Sequence, residues 1–536
     1  MRKWFKKWQN VIVWALAVAF VAGIAWWSVA GYISSRAQGT ESQTEITGYV
    51  AVNGQEPNDP IAKVPSAELE FEYANFLANY SVGSLDPLFE EPPQKANLLK
   101  ELLKERVILM YAKENNLLLT KKEINAKLKE YEDEIKKNQA FLQYVKQRFG
   151  SLEVYLDKVL KPSVEKMLTL DKVKSKVAGV GEEEMKKHFE ENIEDIRAKY
   201  DTANVELAWF ENEEEANKFM SLLPNATFDQ AASEMDVQIT PLNGVKRGWF
   251  DKEIDEKIFS ATPNSVVGPF KLSESWFVAH VKEATVVRDF ASFALSDFYE
   301  TEKSTLQNSL FEKWYEEYVS SKKLELRITD EILFVWDKIS QAASETELAE
   351  LEGKLSEKLF LEDGSIAIDA PDTLKSAYVV LVEKIEDLGG KLDENLREKK
   401  EALVRYLYEQ YPSSLYVVRR MYEIDKNNVE LKYNYFTLLY STVKPYIPLV
   451  GPQALLQSIL EIEAGLASIV SDTSAATELR ASACYNLYDL LKELGDATSA
   501  KFYLDQLRNL NPNYIDFEVA TRELEEMLQS TTEEQK

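Results

Sequence analysis

The sequence predicts a mainly α-helical protein of several domains: an N-terminal transmembrane helix, a helical domain with a small α+β domain inserted in it, and a C-terminal solenoid of helix pairs. Three observations carry this reading. The chain has 536 residues, 45% of them hydrophobic, which is too long for one core and apolar enough to bury several. Residues 11–33, "VIVWALAVAFVAGIAWWSVAGYI", hold no charge over 23 positions. Beyond them the apolar spacing is helical, except over about 85 residues from Thr202, where it alternates as in strands.

Composition removes several functions. A formal charge of −27 leaves no basic face for nucleic acid. A single cysteine, Cys484, excludes an internal disulfide and multi-cysteine metal motifs. Only His188 and His280 could serve a metal or a histidine-based triad. His188 lies in "EEEMKKHFEEN" and reads as a solvated helix residue. With 90 Asp and Glu, carboxylate pairs at helical spacing arise by chance throughout. No phosphate-cradling glycine loop and no nucleophile elbow occurs. No metal and no cofactor is expected.

Residues 1–33 form the cytoplasmic tip and the anchor. The charge-free stretch is long enough to cross a hydrocarbon core of about 30 Å. Arg2, Lys3, Lys6 and Lys7 precede it, and Arg36 alone follows before Lys63. That bias places the amino terminus in the cytoplasm and the bulk outside. The alternative is a signal peptide cleaved after "SVA" at Ala30. Residues 34–47 are a polar linker.

A helical domain is expected over 48–200 together with 289–325. It opens with the strand "YVAVNGQ", turning at Asn53-Gly54. Leu99, Leu102, Leu103, Val107 and Met110 share one helical face, and Thr120 with Glu123 forms a capping box. Residues 289–323 read as one or two amphipathic helices whose aromatic residues, such as Phe293 and Trp314, suit a core. The insert, 201–288, reads as β-α-α-loop-α-β-β, with "NGVKRGWF" (243–250) as the loop. Residues 326–390 read as an unassigned α/β connector. Residues 391–536 are helices in repeats; the spacing of Cys484, Leu487, Tyr488 and Leu491 against Ala500, Leu504 and Leu507 fits a tetratricopeptide repeat.

These pieces resemble the membrane-anchored parvulin-type foldases of the periplasm, the PpiD type, related to the SurA and PrsA chaperones. The resemblance runs from Met1 to about Lys323. Its most specific part is "FDQAA" (228–232), then "NGVKRGWF" for the family's Gly-Gly-x-x-Gly-Trp loop, then "SVVGPFK" (265–271). The resemblance implies a histidine near Val205 or Glu206 and another at Phe277, and both are missing here. His280 falls three residues past Phe277 and so points to the other face of its strand. Val245 replaces the second glycine, implying a different loop conformation. Arg247 stands where the family has a pocket leucine.

No catalytic residue is therefore assigned. The substrate-binding candidates implied by the resemblance are Phe250, Ile254, Phe277 and Asp236, the last as the nearest carboxylate. The resemblance implies a holdase at the inner membrane for newly exported, unfolded polypeptides, near the translocation channel. Its parvulin-like domain would have lost prolyl isomerase activity, and its repeats would recruit a protein partner. Two other functions fit less well: an assembly scaffold built on the repeats, and a working isomerase using Asp236.

Overall fold

The computed structural model describes residues 45–79, 84–390 and 392–534. The uncharged segment 11–33 and nearly all of the linker 34–47 lie outside the described residues.

Strand β1 (Ile46–Val52) ends at Asn53 and Gly54, both at positive φ (50° and 77°), the turn that this dipeptide favours. Antiparallel pairing joins β1 on one side to β2 (Lys63–Pro65). On its other side it meets the last strand of the structure, Leu324–Ile328, which returns from the long helix Tyr299–Lys322. Helix Glu91–Glu114 lies against this sheet and buries Leu99, Leu102, Leu103 and Val107. Each such burial contributes about 1.5–3 kcal/mol. The capping box at Thr120 and Glu123 is present.

The same core continues through three further helices, Glu331–Gln341, Glu345–Leu359 and Asp372–Asp387. Residues 326–390 are thus not a mixed connector. After the strand ends at Ile328 they form three helices, with one β-bridge between Phe360 and Ile366, and share one apolar core with helix 91–114. Helix Glu394–Gln410 adds Leu403 and Val404 to it, so no boundary falls near 390. The segment Asp86–Glu90 reinforces the junction. Phe89 stacks on Tyr416 and lies under the Arg420 guanidinium, while Ser414 and Tyr416 donate hydrogen bonds to Asp86 and Glu90.

Beyond this point helices stack in sequence: Leu415–Ile424, Val429–Val443, Leu456–Ser471, Thr477–Glu493, Ala497–Leu510 and Phe517–Glu534. The positions read as a repeat, from Cys484 through Leu507, are all buried in the core of this stack. Pro452–Ser471 is long and apolar enough to cross a membrane, but Ile459, Ile462, Leu466 and Ile469 on one of its faces line that core. Gly465 brings this helix against Val429–Val443, where an added Cβ would stand 2.3 Å from the ring of Phe436. Gly465→Ala is therefore expected to cost about 1–3 kcal/mol from overpacking, although alanine is the better helix former. Urea unfolding checks this, and an unchanged or raised stability refutes the close approach.

Candidate functional site

The insert builds a four-stranded antiparallel sheet from β3 (Thr202–Phe210), β4 (Ile239–Lys246), β5 (Ser265–Leu272) and β6 (Ser275–Thr285), in the order β4-β3-β6-β5. The loop expected at 243–250 begins as β4, so the order of elements is β-α-α-β-α-β-β. Helices Glu213–Leu222 and Phe228–Glu234 cover one face, and helix Lys252–Ser260 covers the other.

Strand alternation sorts the candidates between these faces. Val205, Leu207, Phe277, Ala279 and Val281 face helix 252–260. Glu206 and His280 face the opposite way, where the His280 ring lies 5.2 Å from Phe228. His280 Nδ1 is 2.9 Å from Glu206 Oε2, and Lys282 Nζ is 2.9 Å from the other oxygen. Burial raises the pKa of Glu206, but the hydrogen bonds from Lys282 and His280 outweigh it and hold the carboxyl below its ordinary value. His280 is one partner in this cross-strand group on the face away from Phe277.

On the face of helix 252–260, Phe277 is fully buried among the rings of Trp209, Phe250 and Phe270, with centroids 5.1, 5.5 and 5.4 Å away. Ile254 belongs to the same cluster. The structure thus brings Phe250, Ile254 and Phe277 together. It does not bring Asp236 to them. Asp236 is exposed at φ 54°, between Met235 and Val237, which pack into the cluster on the opposite face. Trp249 and Trp209 extend the aromatic surface into solvent, at 61% and 37% exposure.

The loop keeps two working glycines. Gly244 and Gly248 both adopt positive φ (67° and 93°), and the Gly244 amide donates to Asn204 Oδ1 at 2.8 Å. Val245 between them is a fully buried strand residue opposite Ala203, a position that suits a β-branched side chain. Arg247 does not wall a pocket. Its Nε and Nη2 donate to Asp201 Oδ2 at 2.8 and 2.7 Å, and its guanidinium lies over the ring of Phe259. The buried Asp255 accepts from the Gly248 and Phe250 amides and so sets the turn. Neither Asp201 nor Asp255 carries a sequence signal that separates it from the chain's many acidic residues.

A small helical neck joins this domain to the rest. Phe189, Ile196 and Phe293 form its core. Glu302 reaches into it and accepts from Tyr200 and Lys199 at 2.7 and 2.8 Å, with His188 Nε2 at 3.2 Å. His188 is therefore a half-buried partner of Glu302, not a solvated residue. Burial raises the pKa of Glu302, yet the hydrogen bonds from Lys199, Tyr200 and His188 win and lower it below 4.5. A depressed carboxyl stabilises the fold fully above its unfolded pKa and loses that contribution as pH falls through the folded one. The neck is expected to loosen as pH falls through the lowered carboxyl pKa, read as reduced amide-exchange protection, relative to the intrinsic rate at each pH, over 182–200. Glu302→Gln should flatten this dependence; a variant that keeps the wild-type profile rules Glu302 out as its source.

Residues 180–293 match the family described as the PPIC-type PPIASE domain. The chain thus carries a parvulin-type domain, the class of peptidyl-prolyl isomerase fold that its foldase resemblance led us to expect. Solved structures similar to the chain include the peptidylprolyl isomerase PrsA of Bacillus cereus, at 14% identity. That match covers 53% of this chain and 98% of the other, with a TM-score of 0.22. A SurA-like chaperone of Campylobacter jejuni matches at 14% identity over 51% and 94% of the two chains, with a TM-score of 0.21. The foldase PrsA of Lactococcus lactis matches at 10% identity over 53% and 95%, with a TM-score of 0.18. No curated protein matches the chain.

Proposed function

We propose that this chain is a membrane-anchored, extracytoplasmic chaperone that holds unfolded exported polypeptides, and that its parvulin-type domain has lost prolyl isomerase activity. One observation carries the second half. The face that should bear paired histidines is an apolar and aromatic wall centred on Val205 and Phe277. Two buried carboxylates beside its loop are committed, Asp201 to Arg247 and Asp255 to backbone amides.

Rotation about the prolyl amide faces a barrier of about 20 kcal/mol set by partial double-bond character. A catalyst must seat the proline and also supply polar groups that favour the twisted amide. This wall can do the first and offers nothing for the second. An unfolded segment gains from such a wall simply by covering the exposed Trp209 and Trp249 and the half-buried Phe250.

The uncharged segment 11–33 supports anchoring with the bulk outside the cytoplasm, and the stacked C-terminal helices suit a protein partner, as tetratricopeptide arrays do. The test uses the full chain in detergent micelles, assayed for isomerisation of a proline tetrapeptide and for suppression of aggregation of an unfolded protein. The expected result is suppression at equimolar ratio with no isomerisation above the uncatalysed rate. Isomerisation that the chain accelerates overturns the inactive assignment. Absent suppression overturns the holdase.

A further inference from the structure

Residues 445–460, "PYIPLVGPQALLQSIL", hold no charge over 16 positions in a chain of which 29% is charged. They form a short 3-10 turn at Lys444–Tyr446, one α-turn at Ile447–Val450, a second 3-10 turn at Pro452–Leu455 and the start of helix 456–471. Five of its large side chains point outward, while Ile447 and Ile459 are buried. Tyr446, Leu449, Val450, Leu456 and Leu460 are 49, 75, 54, 47 and 55% exposed. This is the longest run of exposed large hydrophobic residues among the described residues, and scattered exposed leucines elsewhere do not compare with it.

The run is held firmly. Ile447 is buried in the core beneath it, and Lys444 and Tyr440 both bind Asp489. Its backbone is poor in free donors as well. Pro445, Pro448 and Pro452 have no N–H, and the Gly451 amide donates to the Ile447 carbonyl at 3.1 Å. Lack of charge, outward aliphatic side chains and few free backbone donors are what an apolar medium demands of a surface that enters it. An aqueous protein partner demands less.

We infer that residues 445–460 dock into the headgroup–acyl boundary of the bilayer that holds the chain's own anchor, as a second, interfacial contact. This rests on the anchor reading under Proposed function. The chain between Ile33 and the described structure is Ser34 to Thr44, which spans at most about 40 Å. That tether keeps the body at the membrane surface, so even weak interfacial affinity is converted to occupancy by effective concentration. Glu461 and Glu463 border the patch, and the whole chain is acidic. The bilayer surface it suits is therefore zwitterionic, and an anionic one would repel it.

The test exploits the single cysteine, Cys484, which is fully buried. Leu449→Cys, at a position 75% exposed, can be labelled selectively with an environment-sensitive fluorophore. The full-length variant is placed in phosphatidylcholine vesicles, with Leu295→Cys, 90% exposed at the neck, labelled as a control. We expect blue-shifted emission at position 449, quenched by lipids carrying an acyl-chain nitroxide, and little quenching at 295. A chain that floats with the vesicles but shows no quenching at 449 overturns the second contact and leaves the anchor standing. A blue shift without lipid quenching overturns it in favour of a second copy of the chain. Equal quenching at both positions overturns it as non-specific adsorption. A chain that fails to float overturns the anchor and this inference together.

Discussion

Asp201→Ala is expected to destabilise the parvulin-type domain by about 3–5 kcal/mol, the typical result of removing one partner from a buried ion pair. Asp201 is fully buried. One oxygen accepts from Arg247 Nε and Nη2, and the other accepts from the Val287 amide at 2.8 Å. Arg197 donates to the carbonyls of Val287 and Arg288 from the neck side. A single carboxylate thus ties the entry of β3, the 247–250 turn and the exit of β6. Without it, the Arg247 guanidinium, 19% exposed, loses its counter-charge, and a buried amide is orphaned. Arg247→Leu alone should cost a similar amount, because it strands Asp201 instead. The double variant Asp201→Ala, Arg247→Leu should recover part of the loss, since neither charge is then left unpaired. Guanidinium unfolding of the four proteins of this cycle measures the coupling. Additive losses would show that the two side chains do not depend on each other.

That pair also shows why the site was only partly legible from sequence. The spacing of "FDQAA", the glycine loop and "SVVGPFK" located the domain, and strand alternation placed His280 on the far face from Phe277, as the structure has it. The Asn53-Gly54 turn and the capping box at Thr120 were legible because they are local chemistry. Strand β4 was not. The loop expected from Asn243 hides a strand that runs to Lys246, and β4 lies at the edge of its sheet, where its Pro241 is tolerated. Residues 326–390 failed for a different reason. "YVVLV" at 378–382 is a short β-branched run that suits a buried strand or a buried helix equally. The structure makes it a helix, with Tyr378, Val379, Leu381 and Val382 all fully buried, so periodicity had no polar face to report. Arg247, Asp255 and His188 were misjudged or missed because their partners lie 46, 7 and 114 residues away and are fixed by tertiary packing.

Lys375→Met is expected to cost about 3–5 kcal/mol in the N-terminal core, for reasons no periodicity contains. On helix 372–387 a lysine would be placed on the solvent side, but Lys375 is fully buried. All three of its donors are used. Nζ donates to the carbonyls of Ile368 and Ala370 at 3.0 and 2.7 Å and to Asp372 Oδ1 at 2.9 Å. The ammonium also lies 4.3 Å from the centroid of Tyr406 on the next helix, and Asp372 accepts a further bond from Tyr411. Methionine preserves the length and apolar stem of the side chain and removes only the charge, so cavity formation is not the source of the loss. What remains is two carbonyls and half a carboxylate without donors, in a place that water reaches poorly. Asp372→Asn should cost less, because the amide keeps an oxygen that can still accept from Lys375, and the ammonium retains both carbonyls. The double variant should not be worse than Lys375→Met, since the stranded charge is then gone. Urea unfolding followed by near-ultraviolet circular dichroism would report the order of the three. A Lys375→Met protein within about 1 kcal/mol of wild type would mean that water or a shifted 361–371 loop replaces the ammonium, and that this segment is not fixed by the buried charge.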